Sequence, residues 1–367
     1  MAFVLAMVAW RYDADTGFTS LIRFGALFDE GRLPALDGQP LHVFPNPGYD
    51  GQFYAQLAVD PDVSKPEVQA ALDNPRYRAR RILLPAIVHV LGVGNAWLTL
   101  NIFALANLAA WLALGWLLWR RTRADGWRGS AVWLACMLSL GALDSVRMSL
   151  TDLPAMLLIF VAVEASVRGR RWPALAALAA AALTRESSVL AFAAPEGGDL
   201  RTGRTWTRHA LNGLIIAAPL ALWLGWLLSN VTAGDNTGTK NFALPFAAIF
   251  NHVVHSAQEI ASGNLSYRQI FGLIAVPGFL LQAAWVIHRA VGGGFAGEPW
   301  LRAAVPFALL LLVLGESVWF GYWSVARACL PLTFAFNLTL PRDGRFWWWL
   351  VIGNAFALHG IHRMLPG

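Results

Sequence analysis

The chain alternates between long apolar runs and shorter polar stretches. A polar stretch over residues 11–81 follows an apolar amino-terminal segment, MAFVLAMVAW, which we interpret as the outer part of a first transmembrane helix. The later apolar runs cover residues 95–119, 131–147, 151–167, 173–195, 210–229, 269–288, 301–320, 328–340 and 346–362. Because a membrane-spanning helix needs roughly 20 predominantly apolar residues, the pattern predicts an all-α fold: a polytopic transmembrane helical bundle of about 10–11 membrane helices.

Composition supports a membrane protein. Hydrophobic residues make up 57% of the chain and charged residues only 14%, whereas about a quarter of the residues in an average soluble domain are charged. We therefore expect a single integral-membrane domain over residues 1–367. The net charge of +6 is spread over short stretches and does not predict nucleic-acid binding. Cys136 and Cys329 both lie in apolar runs, which is typical of buried thiols and not of a disulfide framework.

The arginines orient the predicted bundle, because cytoplasmic loops carry an excess of basic residues. Three Arg-rich stretches are predicted to be cytoplasmic: RRTRADGWR at 120–128, RGRR at 168–171 and RTGRTWTRH at 201–209. The stretches assigned to the outer side contain few basic residues and cover 144–150, 230–268 and 321–327. On this assignment residues 11–81 form a long first extracytoplasmic loop.

The run 173–195 has an unusual position, because both of its flanks are predicted to be cytoplasmic. It is too short for two full spans, so we expect a hairpin of two short helices. The apex then falls in LTRESS, which places Arg185 and Glu186 inside the membrane region near its outer face. Charged groups at such a depth are costly, and they are usually functional or paired.

One acid in the first loop stands beside apolar side chains. If residues 50–58 are helical, Asp50, Phe53, Tyr54 and Leu57 lie on one face. Partial burial of this carboxylate at the outer membrane edge is expected to raise its pKa toward the working pH. The alternative is that Asp50 simply caps the helix after NPGY.

Four segments resemble a known enzyme family. YDGQFYAQLA (49–58) is similar to a first-loop pattern of mannosyltransferases that use lipid-linked sugars, which belong to the C-type (GT-C) integral-membrane glycosyltransferases. YRARRILLP (77–85), SLTDLPAMLL (149–158) and LTRESSVL (183–190) fit the same family, so the resemblance covers about the first half of the chain. It implies an inverting glycosyltransferase that moves a sugar from a polyprenyl-phosphate donor to a glycan or lipid acceptor in cell-surface glycan assembly.

Members of this superfamily typically carry a loose acidic pair in the first outer loop. The chain offers two literal Asp-x-Asp pairs, Asp13/Asp15 and Asp60/Asp62, besides the single Asp50. Both pairs lie in sequences that favour turns. We rank Asp50 first as the catalytic acid and Asp60 second.

The expected chemistry needs one base and several cations. The acceptor hydroxyl must lose a proton, whereas the departing phosphate needs no general acid. A guanidinium group can bind two phosphate oxygens at once. The candidates for substrate binding are therefore Tyr54, Asp60, Arg78, Arg80, Arg81, Asp152, Arg185, Glu186 and Arg327.

Each of these residues also has a plainer interpretation. Arg78, Arg80 and Arg81 precede an apolar run, as ordinary interface anchors do. Arg185 could form an internal ion pair with Glu186 or Asp152, and Asp152 could cap the helix that begins near Pro154.

The sequence predicts no metal site. His252/His255 and His359/His362 are pairs at helical spacing, but two ligands do not make a closed site. A divalent cation such as Mg²⁺ or Mn²⁺ is compatible with the family, yet no residue set supports one, and the cofactor stays open.

A second function class also fits a charged membrane protein: a transporter or flippase of lipid-linked sugars. A transporter of this length more often contains inverted repeats or matching broken helices, and the sequence shows neither. Of 28 basic residues only Lys65 and Lys240 are lysine, which is typical of a GC-rich bacterium. We therefore expect an integral protein of the bacterial inner membrane, in contact with membrane lipids, with its active site facing the periplasm.

Overall fold

The computed structural model describes residues 1–198, 203–232 and 239–365. Parts of two sequence predictions lie outside the described residues, namely positions 201–202 of the basic stretch 201–209 and positions 233–238 of the outer segment 230–268. The predicted all-α class is confirmed, since nearly all regular structure is helical.

The helices follow in chain order. The amino-terminal ones are α1 Ala2–Ala9, α2 Gly51–Val59, α3 Pro66–Ala70, α4 Pro75–Arg78 and α5 Leu83–Gly92. The central ones are α6 Ala96–Thr122, α7 Gly126–Met137, α8 Leu140–Arg147, α9 Asp152–Val167, α10 Arg171–Thr184 and α11 Gly203–Asn230. The carboxy-terminal ones are α12 Ala247–Ala261, α13 Tyr267–Arg289, α14 Phe295–Gly297, α15 Pro299–Val313, α16 Glu316–Trp319, α17 Tyr322–Ala328, α18 Leu330–Leu338, α19 Phe346–Asn354 and α20 Ala357–Met364.

Within the described parts of the chain, three helical segments are long and apolar enough to cross a bilayer. They are Ala96–Met137, Gly203–Asn230 and Tyr267–Gly297. The first begins where the Asn95 side chain accepts a hydrogen bond from Leu98 N, and it carries Arg120 and Arg121 in the last turn of α6, where cations complement the helix dipole. The other helices are shorter, so the full set of 10–11 membrane helices stays a prediction.

Three apolar runs that were predicted to be continuous are interrupted. The run 131–147 divides into α7 and α8 because Ser139 adopts φ −59° and ψ 145°, and its hydroxyl donates to Cys136 O at 2.8 Å. The runs 301–320 and 346–362 are likewise broken, between α15 and α16 and between α19 and α20. Among the described residues, six helices lie wholly outside the predicted apolar runs, namely α2, α3, α4, α5, α12 and α14.

The segment 173–195 is not one straight helix. Helix α10 ends at Thr184, Arg185 has extended backbone angles (φ −153°, ψ 119°), and a 3₁₀ helix then runs over Glu186–Ala193 and packs against α10. The chain therefore breaks where the hairpin prediction requires it, although the second limb is a 3₁₀ helix and not a second α-helix.

Side chains of helix α2 anchor the first loop through hydrogen bonds to its backbone. Strands β1 Phe24–Gly25 and β2 Val43–Phe44 pair in parallel within this loop. Gln52 accepts from Gly25 N at 3.0 Å and donates to Pro47 O at 2.9 Å, so one side chain satisfies two loop backbone groups. Gln56 does the same for Leu33 N and Ala71 O.

The sequence suggested that helix α2 presents one apolar face. In the structure the helix is instead enclosed by protein. Residues 51–58 are all buried. Gly51 allows the closest approach, because a Cβ atom there would lie 2.4 Å from Met148 O and 2.7 Å from Ile22 O. This packing fixes the position of Asp50, the residue that immediately precedes the helix.

Candidate functional site

Separate parts of the chain converge on one cavity of about 560 Å³. They include the start of α2, the turn α4, the 3₁₀ helix Ala79–Arg81, the break after α10 and the end of α17. The remaining lining residues are Asn241, Phe242, Leu310, Leu314, Ser317 and Val318. The charged side chains that line the cavity are Asp50, Asp73, Arg78, Arg81, Arg185, Glu186 and Arg327. We call this space the Asp50 cavity.

Asp50 contacts a guanidinium group and does not cap its helix. Its Oδ1 lies 3.1 Å from Arg78 Nη1, and its side chain makes no capping hydrogen bond to α2. Arg78 is held from the other side by Asp73, with Nε–Oδ1 and Nη2–Oδ2 both at 2.7 Å. Asn74 accepts from Tyr77 N at 3.0 Å and begins the short helix that carries Arg78.

The expected direction of the Asp50 pKa shift was wrong. Burial disfavours the carboxylate and acts to raise its pKa, but the charges of Arg78, Arg327 and Arg81 outweigh burial. The net result is a pKa of Asp50 below its ordinary value, because three guanidinium groups stabilise the ionised form. Asp50 is therefore a carboxylate at neutral pH.

Arg81 is fixed by two partners. Its Nε and Nη2 donate to the two Glu186 oxygens, both at 2.9 Å, and its Nη1 donates to the Tyr54 hydroxyl at 2.7 Å. Tyr54 was predicted to bind substrate, but it is fully buried behind Arg81 and is not among the lining residues. Its contact is with Arg81, which it helps to orient.

Arg185 forms the internal ion pair that the sequence left open, and its partner is Asp152. The Arg185 Nη1 group contacts Asp152 Oδ1, and Arg185 Nε donates to Ser187 Oγ at 3.1 Å. Asp152 is only 3% exposed. Asp152 is the first residue of α9 and Thr151 occupies the N-cap position, so the Asp152 carboxylate pairs with Arg185 and is not the helix cap.

Arg327 closes the opposite side of the cavity. Its Nη2 donates to Tyr49 Oη and Ser324 Oγ, both at 2.8 Å, and its Nε lies 3.5 Å from Asp144 Oδ2. Trp323 Nε1 also donates to Tyr49 Oη, at 3.2 Å. Tyr49 thereby joins the start of α2 to α17.

Several predicted residues lie away from the cavity. Arg80 stacks against Tyr77, with its Cζ atom 5.5 Å from the ring centroid, and Asp60 pairs with Lys65 at 2.6 Å. Asp13 accepts from Asp15 N and Thr16 N. The partner acid Asp62 accepts likewise from Ser64 N and Oγ. Neither literal Asp-x-Asp pair lines the cavity, and Asp13 and Asp62 stabilise local turns.

Sequence reasoning missed three functional candidates. Asp73 lies five residues before Arg78 and holds it, Asp144 lies in an apolar run, and Tyr49 adjoins Asp50. Asp144 could have been recognised from the sequence, because an acid inside an apolar run is costly unless it is paired. Asp73 and Tyr49 could not have been recognised in this way, since their partners become apparent only in the three-dimensional structure.

The described residues contain no group of three or more His, Cys, Asp or Glu side chains that could hold a metal ion. His252 and His255 line a separate cavity of about 250 Å³ with Glu259 and Arg268. His359 contacts the Tyr322 hydroxyl through Nδ1. The cofactor question therefore stays as the sequence left it.

Comparison with protein-family models, curated proteins and solved structures finds no match. The resemblance to glycosyltransferases that use lipid-linked sugars therefore rests on the four sequence segments alone. Each of these segments places a charged residue in the Asp50 cavity or directly behind it: Asp50, Arg78 and Arg81, Asp152, and Arg185 with Glu186.

The cavity combines two chemical capacities. Asp50 retains 35% side-chain exposure, so its carboxylate is accessible to accept a proton. The four arginines can each donate to phosphate oxygens, and their carboxylate partners hold the guanidinium planes in fixed orientations.

Proposed function

We propose that this protein is an inverting membrane glycosyltransferase that transfers a sugar from a polyprenyl-phosphate donor to a glycan or lipid acceptor. The observation that supports it most is the position of Asp50, 3.1 Å from Arg78 in a 560 Å³ cavity that Arg81, Arg185 and Arg327 also line. A base and a phosphate-binding set are what this transfer needs in one place.

The proposed step balances with one protein base. The acceptor hydroxyl oxygen attacks the anomeric carbon of the donor sugar from the face opposite the phosphate, and its proton passes to Asp50. The bond between that carbon and the phosphate oxygen breaks, and its electron pair leaves with the polyprenyl phosphate. The new glycosidic bond has inverted configuration, and no general acid is required because phosphate is a good leaving group.

The arginines retain donors for the phosphate. A guanidinium group has five N–H donors. Arg78 uses three of them on Asp73 and Asp50, and Arg81 uses three on Glu186 and Tyr54. About two N–H groups therefore remain on each guanidinium to bind the phosphate. Because the partners fix both side chains before the donor arrives, little side-chain entropy is lost on binding.

Donor binding also changes the base. The depressed pKa of Asp50 results from guanidinium charges that outweigh burial. An anionic phosphate beside the same arginines offsets part of that positive field, so the pKa of Asp50 rises again when donor is bound. Asp50 therefore becomes a stronger base only in the loaded cavity, which limits unproductive proton transfer.

The membrane setting follows from the donor. A polyprenyl chain lies in the bilayer, and the three long apolar helices suit a protein embedded there. We place the Asp50 cavity on the periplasmic side of a bacterial inner membrane, which agrees with the Arg-rich stretches 120–128 and 168–171 on the other side.

A transfer assay tests the proposal. Purified full-length protein is incubated with radiolabelled polyprenyl-phosphate sugars and with glycan and lipid acceptors, and the label on the acceptor is measured. We expect time-dependent transfer with at least one donor. If the protein in liposomes moves labelled donor across the bilayer and transfers nothing, the flippase alternative replaces the enzyme.

A further inference from the structure

A second group of arginines adjoins the Asp50 cavity through Tyr49 and Asp144. We call it the Arg147 cluster, and its members are Arg11, Arg23, Arg147 and Arg363. Arg11 follows α1, Arg23 lies in the first loop, Arg147 ends α8 and Arg363 lies in the last turn of α20. None of the four belongs to the proposed donor site.

The four charges act on one another. Arg147 lies within electrostatic range of Arg363, Arg23 and Arg11, and the side chain of Arg23 is in range of both Arg11 and Arg363. All four side chains are half-buried. Water therefore screens their repulsion less than it would at a fully exposed surface.

One carboxylate serves the whole cluster. Arg363 donates to Asp144 Oδ1 from Nη2 at 2.8 Å and from Nε at 3.0 Å. The other oxygen of Asp144 lies 3.5 Å from Arg327 Nε, so this acid is shared with the Asp50 cavity. It cannot also neutralise the remaining three arginines.

Across the described ranges, Arg11, Arg23 and Arg147 form no ion pair with a carboxylate. The Arg23 guanidinium lies over the Phe44 ring at 4.0 Å from its centroid. Arg147 Nε is inaccessible and has no hydrogen-bond partner among the described residues. Buried donors are normally hydrogen-bonded, and a water molecule or an ion beside Arg147 Nε would account for this exception.

Helix dipoles offer a competing explanation. Arg147 and Arg363 lie at carboxy-terminal helix ends, each of which carries a partial negative charge of about half an elementary charge. This offsets part of the repulsion. It supplies no hydrogen-bond acceptor to Arg147 Nε, and it does not act on Arg23, which lies in the first loop.

We infer that the Arg147 cluster is a second anion site and that it binds a phosphate group. Three arginines without a carboxylate suit a phosphate, with two negative charges and several acceptor oxygens, better than a singly charged carboxylate. The site adjoins the base, because Tyr49 N donates to Arg23 O at 3.0 Å while Tyr49 Oη accepts from Arg327. Assigning this phosphate to the acceptor, the second substrate of the proposed reaction, rests on the proposed function. The anion site itself does not.

The phosphate can belong to a lipid headgroup or to a soluble molecule, and the experiment separates these sources. Purified full-length protein is titrated with inorganic phosphate in neutral detergent. In parallel it is placed in phosphatidylcholine nanodiscs with and without phosphatidic acid. The readouts are saturable binding and the thermal unfolding midpoint. We expect at least one probe to raise the midpoint of the wild-type protein.

The matched variants are Arg147→Gln and Arg120→Gln. Arg120 also lies in the last turn of a helix, its Cζ atom is 4.8 Å from the centroid of the Trp116 ring, and it has no carboxylate partner among the residues described. Without probe, Arg147→Gln should unfold at or above the wild-type midpoint, because like-charge repulsion falls. Its apparent affinity for the probe should fall at least about tenfold, which corresponds to the loss of one charge-assisted contact. Arg120→Gln should keep the wild-type response.

Arg23→Gln gives the same test if Arg147→Gln does not fold. A response to phosphatidic acid alone assigns the site to a lipid headgroup, and a response to inorganic phosphate assigns it to a soluble phosphate. No response to either probe, or an unchanged response in both cluster variants, overturns the site. A lower midpoint without probe, together with unchanged probe binding, reduces Arg147 to a helix-end residue.

Donor affinity of the Asp50 cavity, measured alongside, should not change, so failure of this site is distinguishable from failure of the proposed function.

Discussion

The Asp50 cavity and the Arg147 cluster both adjoin Tyr49 and hold four arginines each, yet their charges are balanced differently. Among the described residues, the arginines of the cavity contact five carboxylates, those of Asp50, Asp73, Asp144, Asp152 and Glu186. The arginines of the cluster share only Asp144. The cavity is thus organised before any ligand binds, whereas the cluster still needs an external negative charge.

This difference changes what each region requires of its ligand. In the cavity, a phosphate must compete with resident carboxylates, so binding depends on geometry and on the donors that remain free. In the cluster, binding relieves repulsion, so it should weaken more steeply with salt.

Removing the base should have the largest effect. Asp50→Asn keeps the shape and hydrogen bonding of the side chain but cannot accept the proton, so transfer should fall by about 10²–10⁴-fold. Donor binding should persist. Asp60→Asn and Asp13→Asn are the controls, since neither acid lines the cavity. Near-normal turnover of Asp50→Asn beside an inactive control would move the catalytic role to that other acid.

Unpairing one cavity arginine should destabilise the fold. Glu186→Gln leaves Arg81 with only the Tyr54 hydroxyl, and the free energy of unfolding should fall by about 2 kcal/mol. This is below the usual cost of breaking a fully buried pair because Glu186 retains 29% exposure. Glu67→Gln, at an exposed position, should change it by less than about 0.5 kcal/mol. Equal denaturant midpoints for both variants would show that the cavity pairs do not organise the fold.

Replacing the guanidinium fork should weaken donor binding. Arg81→Lys keeps the charge but cannot bind two oxygens in one plane, and donor affinity should fall about tenfold. Arg80→Lys is the matched control, because Arg80 lies one position away and outside the cavity. The comparison uses equilibrium binding of labelled donor. A larger loss for Arg80→Lys than for Arg81→Lys would place the phosphate elsewhere.

The smallest effect should be that of pH on the wild-type enzyme. The pKa of Asp50 is lowered in the folded protein, so its stabilising ionised form persists at neutral pH and is lost only as pH falls through that lowered value. The pH profile of kcat/KM for the donor, which reports the free enzyme, should therefore show no acid limb from Asp50 between about pH 5 and about pH 8. Arg78→Gln removes the strongest counter-charge, and the limb should then move to higher pH. Identical profiles would contradict the assigned cause of the shift.

The sequence predicted the helical class and the long apolar helices well, because apolar length is a local property. It could not predict the break at Ser139 or the 3₁₀ limb after Arg185, which depend on tertiary packing. The buried α2 also differs from its expected one-sided face, since neighbouring loops cover its other sides.

For the site, sequence motifs supplied the charged residues and two possible partners for Arg185, Glu186 and Asp152, but they did not identify which residues pair. Glu186 and Arg81 are 105 positions apart, and Asp152 and Arg185 are 33 apart. No local rule selects such pairs. The pKa of Asp50 was predicted in the wrong direction for the same reason: burial can be estimated locally, whereas the opposing charges come from two other segments, residues 78–81 and α17.

The proposed function requires that the Asp50 cavity binds the phosphate of a polyprenyl donor. A cryo-electron microscopy structure of the full-length protein with bound polyprenyl phosphate, using an antibody fragment for alignment, tests it most directly. Phosphate density should lie within hydrogen-bond distance of Arg78 or Arg81 and on the Asp50 side of Tyr49. Density confined to the Arg147 cluster, with the Asp50 cavity free of lipid phosphate, would contradict the account.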